Sequence, residues 1–188
     1  IHAVDNCLVQ NCTGGISSGY IVVGSATNCA FTNCSTIGSS YSHIVGSDAT
    51  HCTFTNCSSR SGSSYIVGGS ATHCTFTNCS SSGGSYSHIV VGSATHCTFT
   101  NCSSSGGSSI SSYIVYGGAT NCTFANCSSS SGNYSYIVGA GATNCTFVRC
   151  VAGGLRYNQI GNDITNCVIL GCTITTIDFG AGTNNAAS

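Results

Sequence analysis

Two cysteines separated by four residues recur eight times along the chain, and this repeat constrains the fold more than any other feature. The first cysteines of successive pairs are 22, 23, 22, 23, 25, 23 and 22 residues apart, and every cysteine of the chain belongs to a pair. A fixed period in this range is the signature of stacked structural repeats. The pairs are Cys7/Cys12, Cys29/Cys34, Cys52/Cys57, Cys74/Cys79, Cys97/Cys102, Cys122/Cys127, Cys145/Cys150 and Cys167/Cys172.

Each repeat also carries fixed apolar positions around its cysteine pair. Phe stands two residues after the first cysteine in the six middle repeats, as in "HCTFTNCS" from His51 to Ser58. Ile stands eight residues before that cysteine and Ala stands three residues before it. Alternation within C-T-F-T places Cys and Phe on one face of a strand and Thr on the other. We therefore expect Phe76, Phe99, Ile66 and Ile89 to be buried.

The segments between the cysteine pairs are short, rich in β-branched residues and interrupted by Gly and Ser, which disfavours helices. Units this short bury an apolar face only when they stack on one another. The sequence therefore predicts an all-β fold: a single parallel β-solenoid (β-helix) of about eight coils of 22–25 residues, reinforced by disulfides, and the family resemblance described below implies that it is right-handed. Residues 1–188 form one domain, with repeats over 4–172 and a C-terminal strand or tail over 173–188.

The composition excludes several classes of function. Only 4% of the residues are charged, with three Arg, four Asp and neither Lys nor Glu. A surface without a basic patch is not expected to bind nucleic acid, and weak charge repulsion favours self-association into a homopolymer. No apolar run is long enough for a membrane helix, so we expect no membrane insertion. Sixteen cysteines in an uncharged chain without Met predict a processed or fragmentary protein from an oxidising, extracellular or cell-surface setting.

The repeat resembles a known family. "ATNCTFANCS" (Ala119 to Ser128) and "HCTFTNCS" are similar to the N-C-T-F-T-N-N repeats of secreted right-handed parallel β-helix proteins. These include polymorphic outer-membrane-type proteins and adhesin-like surface proteins of bacteria and methanogenic archaea. The resemblance covers Val4 to Cys172 and implies an extracellular β-helix. A second Cys replaces the second Asn of that motif, which implies covalent reinforcement.

The cysteines themselves leave several pairings open. Five residues of straight strand span about 16 Å, whereas a disulfide needs Cα atoms roughly 4.4–6.8 Å apart. Pairing within a cassette therefore requires a sharp turn, and pairing between neighbouring coils or with another chain is the alternative. Free thiols packed as small apolar groups are a fourth reading. Zinc is disfavoured because the spacing is C-x4-C and no C-x-x-C occurs.

Outward threonines form the first candidate functional surface. T-x-T occurs in three successive repeats and resembles the ranks of threonine by which insect antifreeze proteins bind ice. The alternative is that Thr is simply a good exposed strand residue. The candidate ice-binding array consists of Thr53, Thr55, Thr75, Thr77, Thr98 and Thr100.

Polar columns beside the cysteines provide weaker candidates. His51, His73 and His96 precede the first cysteine and are weak metal-ligand candidates, although a hydrogen-bonding ladder at a bend is the more common arrangement. The Asn residues that precede the second cysteine each stand in an N-C-S or N-C-T sequon, so they are either glycosylated or form an inward ladder, and the ladder avoids the crowding of glycans on neighbouring coils. Asn133, in the Ser-rich loop "SSSSGNYS", is the candidate for glycosylation, so glycans are expected as attached groups.

No catalytic constellation and no cofactor site is recognised. Polysaccharide-cleaving β-helices need clustered carboxylates, and here four Asp are scattered along the chain, so we do not expect an enzyme. The repeats reach almost to both ends of the chain without a charged cap or a capping helix. We therefore expect an extracellular structural protein that assembles head to tail into a filament, sheath or surface coat. The alternative is an ice-binding protein or an adhesive surface module.

Overall fold

The computed structural model describes residues 2–15, 17–107, 111–131, 133–153, 157–159, 163–174 and 186–187 of the chain. All regular structure in these residues is β-strand, and every strand pairing is parallel. Strands from successive repeats pair one above another, which makes the chain a β-solenoid, as the sequence predicts, and the strands form three sheets. None of the described segments is a helix long and apolar enough to span a membrane.

Sheet A contains one two-residue strand from each repeat, built on the Ala-Thr dipeptide in most of them. Its eight strands are joined by seven turns of the solenoid. They are β1 (Val4–Asp5), β5 (Ala26–Thr27), β9 (Ala49–Thr50), β12 (Ala71–Thr72), β15 (Ala94–Thr95), β19 (Ala119–Thr120), β23 (Ala142–Thr143) and β27 (Ile164–Thr165).

Sheet B contains the three residues that follow the first cysteine of each cassette, together with one short strand near the C terminus. Its strands are β2 (Leu8–Gln10), β6 (Ala30–Thr32), β10 (Thr53–Thr55), β13 (Thr75–Thr77), β16 (Thr98–Thr100), β20 (Thr123–Ala125), β24 (Thr146–Val148), β28 (Val168–Leu170) and β29 (Ala186–Ala187). The last of these pairs with β28. The end of the tail thus extends sheet B, whereas residues 175–185, which include most of the strand expected after Thr173, lie outside the described residues.

Sheet C contains the Ser-rich stretch after the second cysteine and the stretch that ends in Ile-Val. The two stretches are separate strands in most repeats and merge into one long strand in the third and fourth. The strands are β3 (Thr13–Gly14), β4 (Ser18–Val22), β7 (Ser35–Ile37), β8 (Tyr41–Val45), β11 (Ser58–Val67), β14 (Ser80–Val90), β17 (Ser103–Ser105), β18 (Ser111–Val115), β21 (Ser128–Ser130), β22 (Tyr134–Val138), β25 (Val151–Gly153) and β26 (Tyr157–Gln159).

Two sharp corners per repeat connect sheet A to sheet B and sheet B to sheet C. Each corner is made by the residue immediately before a cysteine, and that residue has a left-handed backbone with φ between 50° and 58°. Asn and His tolerate this conformation better than most residues with a Cβ atom, and Gly171 has no Cβ atom at all. Every cassette therefore begins and ends at a corner, which is why the spacing of its cysteines is constant.

The core is a set of stacked columns that run along the solenoid. Phe31, Phe54, Phe76, Phe99, Phe124 and Phe147 are fully buried, and their rings stack with centroids 4.7–4.9 Å apart and planes within 5°. Ile66 and Ile89 are also fully buried, so the predicted inward positions are confirmed. Columns of Val, Ala and Cys complete the same cluster.

Buried serines form a further column that the sequence analysis did not anticipate. Ser64 and Ser81 are both buried, and their hydroxyls lie 3.0 Å apart across the bend of sheet C. Ser42 with Ser59 and Ser112 with Ser129 repeat the arrangement at 2.9 Å. A buried hydroxyl without a partner would cost several kcal/mol, and these pairs satisfy one another between neighbouring coils. The sequence signal was the Ser two residues before the column Ile in five of six repeats, where strand alternation also points inward.

Candidate ligand-binding surfaces

The threonine array lies on the outer face of sheet B. Thr53, Thr75, Thr98, Thr123 and Thr146 are in register on successive strands and form one column. Thr32, Thr55, Thr77 and Thr100 form the second column. The first column is exposed except at Thr146, and the second is half-buried. The six threonines chosen from the sequence are therefore brought together as two parallel columns, and three more members extend them.

The array is regular because each strand stands on a buried phenylalanine. In β10, β13 and β16 the central Phe points inward and the flanking threonines point outward. Neighbouring strands are about 4.8 Å apart, and residues two apart along a strand are separated by about 6.6 Å. No strand of sheet B contains a charged residue. Ala30, Ala125 and Val148 interrupt the columns with small apolar groups that keep the face uncharged.

An asparagine ladder follows one border of the threonine array. Each side-chain amide donates to the carbonyl oxygen of the Asn one coil earlier, from Asn33 to Asn11 through to Asn101 to Asn78, at 3.1–3.3 Å. The ladder exists as expected, but its members are exposed and not inward, because the left-handed corner turns the side chain away from the core. This border of sheet B is therefore polar, and the hydrogen bonds of the ladder hold it in register.

The other border carries the histidine column. His51, His73 and His96 are exposed and stack in parallel, with ring centroids 4.9 and 4.7 Å apart. Among the described residues no group of three or more potential ligands is placed to hold a metal. The structure places these rings in a stack, which Asn121 extends by a contact to His96 Nε2 at 3.1 Å, and a metal role for them stays a prediction.

All sixteen cysteines are free thiols, which differs from the disulfide-reinforced rod expected from the sequence. Pairing within a cassette is prevented by the extended strand between its two cysteines, for example β10 between Cys52 and Cys57. The cysteines instead form two columns, one at each corner, and all but Cys7, Cys12 and Cys172 are buried.

The thiols are held by the backbone of their own coil and the neighbouring coils. Cys74 Sγ lies 3.3 Å from the Thr72 carbonyl oxygen and 3.4 Å from the Ala49 carbonyl oxygen of the preceding coil. The same sulfur accepts the Cys52 backbone N–H at 3.4 Å. Burial raises the pKa of the Cys34 thiol, whereas hydrogen bonds to neighbouring thiols lower the pKa of Cys57 and Cys74. The columns therefore fill the core with small side chains whose hydrogen bonds are satisfied.

A continuous aromatic column runs along the outer side of sheet C. Tyr20, His43, Tyr65, His88, Tyr113 and Tyr136 lie one above another, and each neighbouring ring pair from Tyr20 to Tyr136 has centroids 4.8–5.1 Å apart. Gly68 makes room for it, because a Cβ atom there would overlap the ring of His43. Burial lowers the pKa of His43 and of His88 to about 4, with a smaller opposing effect from the Ser87 backbone at His88. Their Nδ1 atoms are buried without a hydrogen-bond partner.

The carboxylates of the described residues do not cluster. Asp5 contacts Asn28, and Asp48 accepts a hydrogen bond from the backbone N–H of Ser70 at 2.8 Å. Both carboxylates lie at coil corners within the first three repeats. Asp163 is exposed near the other end, and Asp178 lies outside the described residues. A shallow groove of about 190 Å³ beside Arg60, lined by Ser and Thr side chains and Ile37, is smaller than the roughly 300–1,000 Å³ of typical ligand pockets. The broad faces of the sheets are therefore the candidate binding surfaces.

Asn133, the glycosylation candidate, lies just before β22 and is half-buried. The neighbouring Gly132 lies outside the described residues. Glycosylation at Asn133 stays a prediction.

Comparisons with known protein families and with curated proteins find no match. Among solved structures, a trypsin-treated variant of QnrB1, a plasmid-mediated fluoroquinolone resistance protein, aligns over 100% of this chain and 91% of its own, with 12% identity and a TM-score of 0.42. Full-length QnrB1 aligns over 97% and 94% with 10% identity and a TM-score of 0.26. HetL, a pentapeptide repeat protein from the cyanobacterium Nostoc sp. strain PCC 7120 involved in heterocyst differentiation regulation, aligns over 94% and 86% with 9% identity and a TM-score of 0.23. At these scores the fold assignment rests on the strand pairing of the chain itself.

Proposed function

We propose that the protein binds ice through the outer face of sheet B. The observation that carries this proposal is the in-register threonine array, with five threonines in one column and four in the other. Ice presents fixed rows of oxygen atoms, so a protein recognises it best with a rigid surface of hydroxyl and methyl groups at fixed intervals. The two strand spacings, about 4.8 and 6.6 Å, give such a two-dimensional repeat.

Rigidity supports the same proposal. Binding is stronger when the contact groups are already ordered, because less side-chain entropy is lost on association. Thr is branched at Cβ and has few χ1 rotamers, and the Phe stack beneath fixes each strand relative to the next. The face also lacks charged groups, whose hydration shells would have to be removed before ice could make contact.

The test is thermal hysteresis of the purified protein, with ice-affinity partitioning as a second measurement. Thr75→Tyr and Thr98→Tyr each place a bulky ring in the exposed column, and we expect either change to abolish hysteresis. Ser105→Tyr is the matched control, because Ser105 is exposed on sheet C and the same ring there leaves sheet B unchanged. Circular dichroism of all variants should show the same β-rich spectrum.

Absence of hysteresis in the folded wild type at high concentration refutes the proposal. Equal loss in the Ser105→Tyr variant also refutes it, because the effect would then not depend on the threonine array.

A second candidate is a structural rod of an extracellular surface, as the resemblance to adhesin-like proteins implies. It is favoured by the uncharged stack of coils, whose strands pair in parallel and in register from repeat to repeat. Exposed parallel edges accept a further strand, and an in-register partner would continue the Phe and Cys columns. End-to-end association would then produce a filament, sheath or coat.

Electron microscopy of concentrated protein tests this candidate, with a variant lacking residues 173–188, and therefore β29, for comparison. Filaments that shorten or disappear in the truncated variant are the expected result. A monodisperse monomer at high concentration in sedimentation velocity would contradict end-to-end assembly.

A further inference from the structure

Sheet C carries a second regular outer surface, which differs chemically from the threonine array. Beside the aromatic column, two residues earlier in each strand, Tyr and Ser alternate from coil to coil. Tyr41 and Tyr86 both pair with Ser63 of the coil between them, and Ser111 pairs with Tyr134. The sequence shows the same alternation as Ser-x-Tyr, Tyr-x-His, Ser-x-Tyr, Tyr-x-His, Ser-x-Tyr and Tyr-x-Tyr in six successive repeats.

We call Tyr41, Tyr86 and Tyr134 the tyrosine row. Its members recur at every second coil and are therefore about 9.6 Å apart, twice the distance between neighbouring strands. Tyr41 is 54% exposed and Tyr86 is 47% exposed, while Tyr134 is half-buried. Tyr41 and Tyr86 are among the most exposed large apolar groups of the described residues, whereas the aromatic column two residues away is half-buried, with His88 fully covered.

The surroundings of the row are uncharged. The strands from β4 to β22 that carry the row and the aromatic column contain one ionised side chain, Arg60, which lies at the far side of the bend and reaches Ser82 Oγ at 3.4 Å. Burial raises the pKa of Tyr65 and Tyr113 and lowers that of His43 and His88, so all four are neutral near pH 7. A charged ligand would find no partner here and would lose its hydration.

A neutral ligand with both apolar faces and hydroxyl edges fits this surface. Tyr offers an apolar ring face and a polar tip, and the half-buried Ser111 supplies a further hydroxyl, whereas Ser63 is only 7% exposed. Sugar rings have the complementary make-up, since their C–H faces pack on aromatic rings and their hydroxyls donate and accept hydrogen bonds. In an extended β-1,4-linked chain, equivalent faces recur at every second sugar, over a length close to the two-coil spacing of the row.

We propose that the tyrosine row binds an extended, uncharged β-1,4-linked polysaccharide of the glucan or N-acetylglucosamine class. The chain would lie along the solenoid axis, with alternate sugars over Tyr41, Tyr86 and Tyr134. This site is on a different sheet from the threonine array and needs no ice binding to be correct.

The first assay measures how much of the intact protein is retained on microcrystalline cellulose and on chitin. The second assay measures its retardation in gels that contain soluble hydroxyethylcellulose. Gels that contain amylose, an α-linked glucan, are the comparison. The double variant Tyr41→Ser/Tyr86→Ser uses the residue that already occupies the alternate coils, so the strands keep a native-like sequence. Loss of two contact rings should weaken binding by about tenfold or more. The cellulose and chitin arms distinguish the two sugar classes.

Leu8→Thr is the matched control, because it removes a 66% exposed apolar side chain from sheet B, where Thr occupies the same column. It should bind like the wild type. Tyr86→Phe keeps the ring and should retain most of the binding. Competition of the wild type by soluble β-1,4-linked oligosaccharides gives a readout that does not depend on any variant folding.

Four results would overturn the proposal: no retention on either β-linked polymer, unchanged binding of the double variant, equal retardation by amylose, or no competition by the oligosaccharides. Sedimentation that shows a dimer of the wild type and a monomer of the double variant would also overturn it. The tyrosine row would then be a contact between two copies of this chain.

Discussion

The buried imidazole of His88 should make the solenoid unstable in mild acid. This side chain is 4% exposed, its Nδ1 atom has no hydrogen-bond partner, and burial lowers its pKa from 6.5 to about 4. The unfolded chain therefore binds a proton at a higher pH than the folded protein does. Stability is fully present above pH 6.5, falls as the pH decreases, and reaches its lower limit near pH 4.

The size of the effect follows from the difference between the two pKa values. Each unit corresponds to about 1.4 kcal/mol, so His88 alone should lower the free energy of unfolding by about 2 kcal/mol at pH 5 and by about 3 kcal/mol at pH 4. His43 shares the same column and the same direction of shift, but it is more exposed, so its contribution is smaller. At pH 5 most Asp side chains are still ionised, which separates the histidine effect from ordinary acid unfolding.

The assay is urea unfolding at pH 7.5 and pH 5.0, followed by circular dichroism. His88→Tyr is the informative variant, because Tyr65 and Tyr113 already occupy the same column. The new side chain would stand two residues after Tyr86, and Tyr134 with Tyr136 shows that one coil accommodates two tyrosines at this spacing. We expect the wild type to lose about 2 kcal/mol more than this variant between the two pH values. His2→Gln, at an exposed position, is the control and should behave like the wild type.

Equal losses for the wild type and His88→Tyr would refute the reasoning. So would an NMR titration of the His88 ring with a midpoint near 6.5, because the buried environment would then not hold the imidazole neutral.

Three further predictions concern the core and the corners. Phe76→Ala should lower the free energy of unfolding by about 3–5 kcal/mol because it interrupts the ring stack on both sides, whereas Thr75→Ser on the outer face of the same strand should change it by less than about 0.5 kcal/mol in a urea titration. Asn78→Ala should cost about 1–2 kcal/mol because its φ of 53° is unfavourable for Ala, and Asn78→Gly, which keeps that backbone conformation, should cost less in the same assay. A thiol-specific reagent should react readily with Cys7, Cys12 and Cys172 in the folded protein and with all sixteen cysteines in denaturant. Fewer than sixteen reactive thiols in denaturant without a reductant would contradict the free-thiol structure.

The sequence by itself determined the repeat, the stacking of its coils and most of the core, whereas the three sheets are known only from the strand pairing. Side chains alternate along any strand, so Phe two residues after a cysteine had to share its face, and a column of large apolar residues had to be the buried one. The threonine array followed from the same alternation. A bend at the histidine column was also indicated, but the left-handed backbone of the residue before each cysteine was not predicted.

Only the tertiary structure decided how the columns contact one another. The serine pairs join residues 17 positions apart, and the exposure of the asparagine ladder depends on the direction in which each corner turns its side chain. The thiols satisfy their hydrogen bonds with carbonyl groups of two coils, and the tyrosine row stands out because the coils between its members carry serine. Strand alternation is a local property of the backbone, whereas burial and hydrogen bonding of each column depend on the coils above and below it.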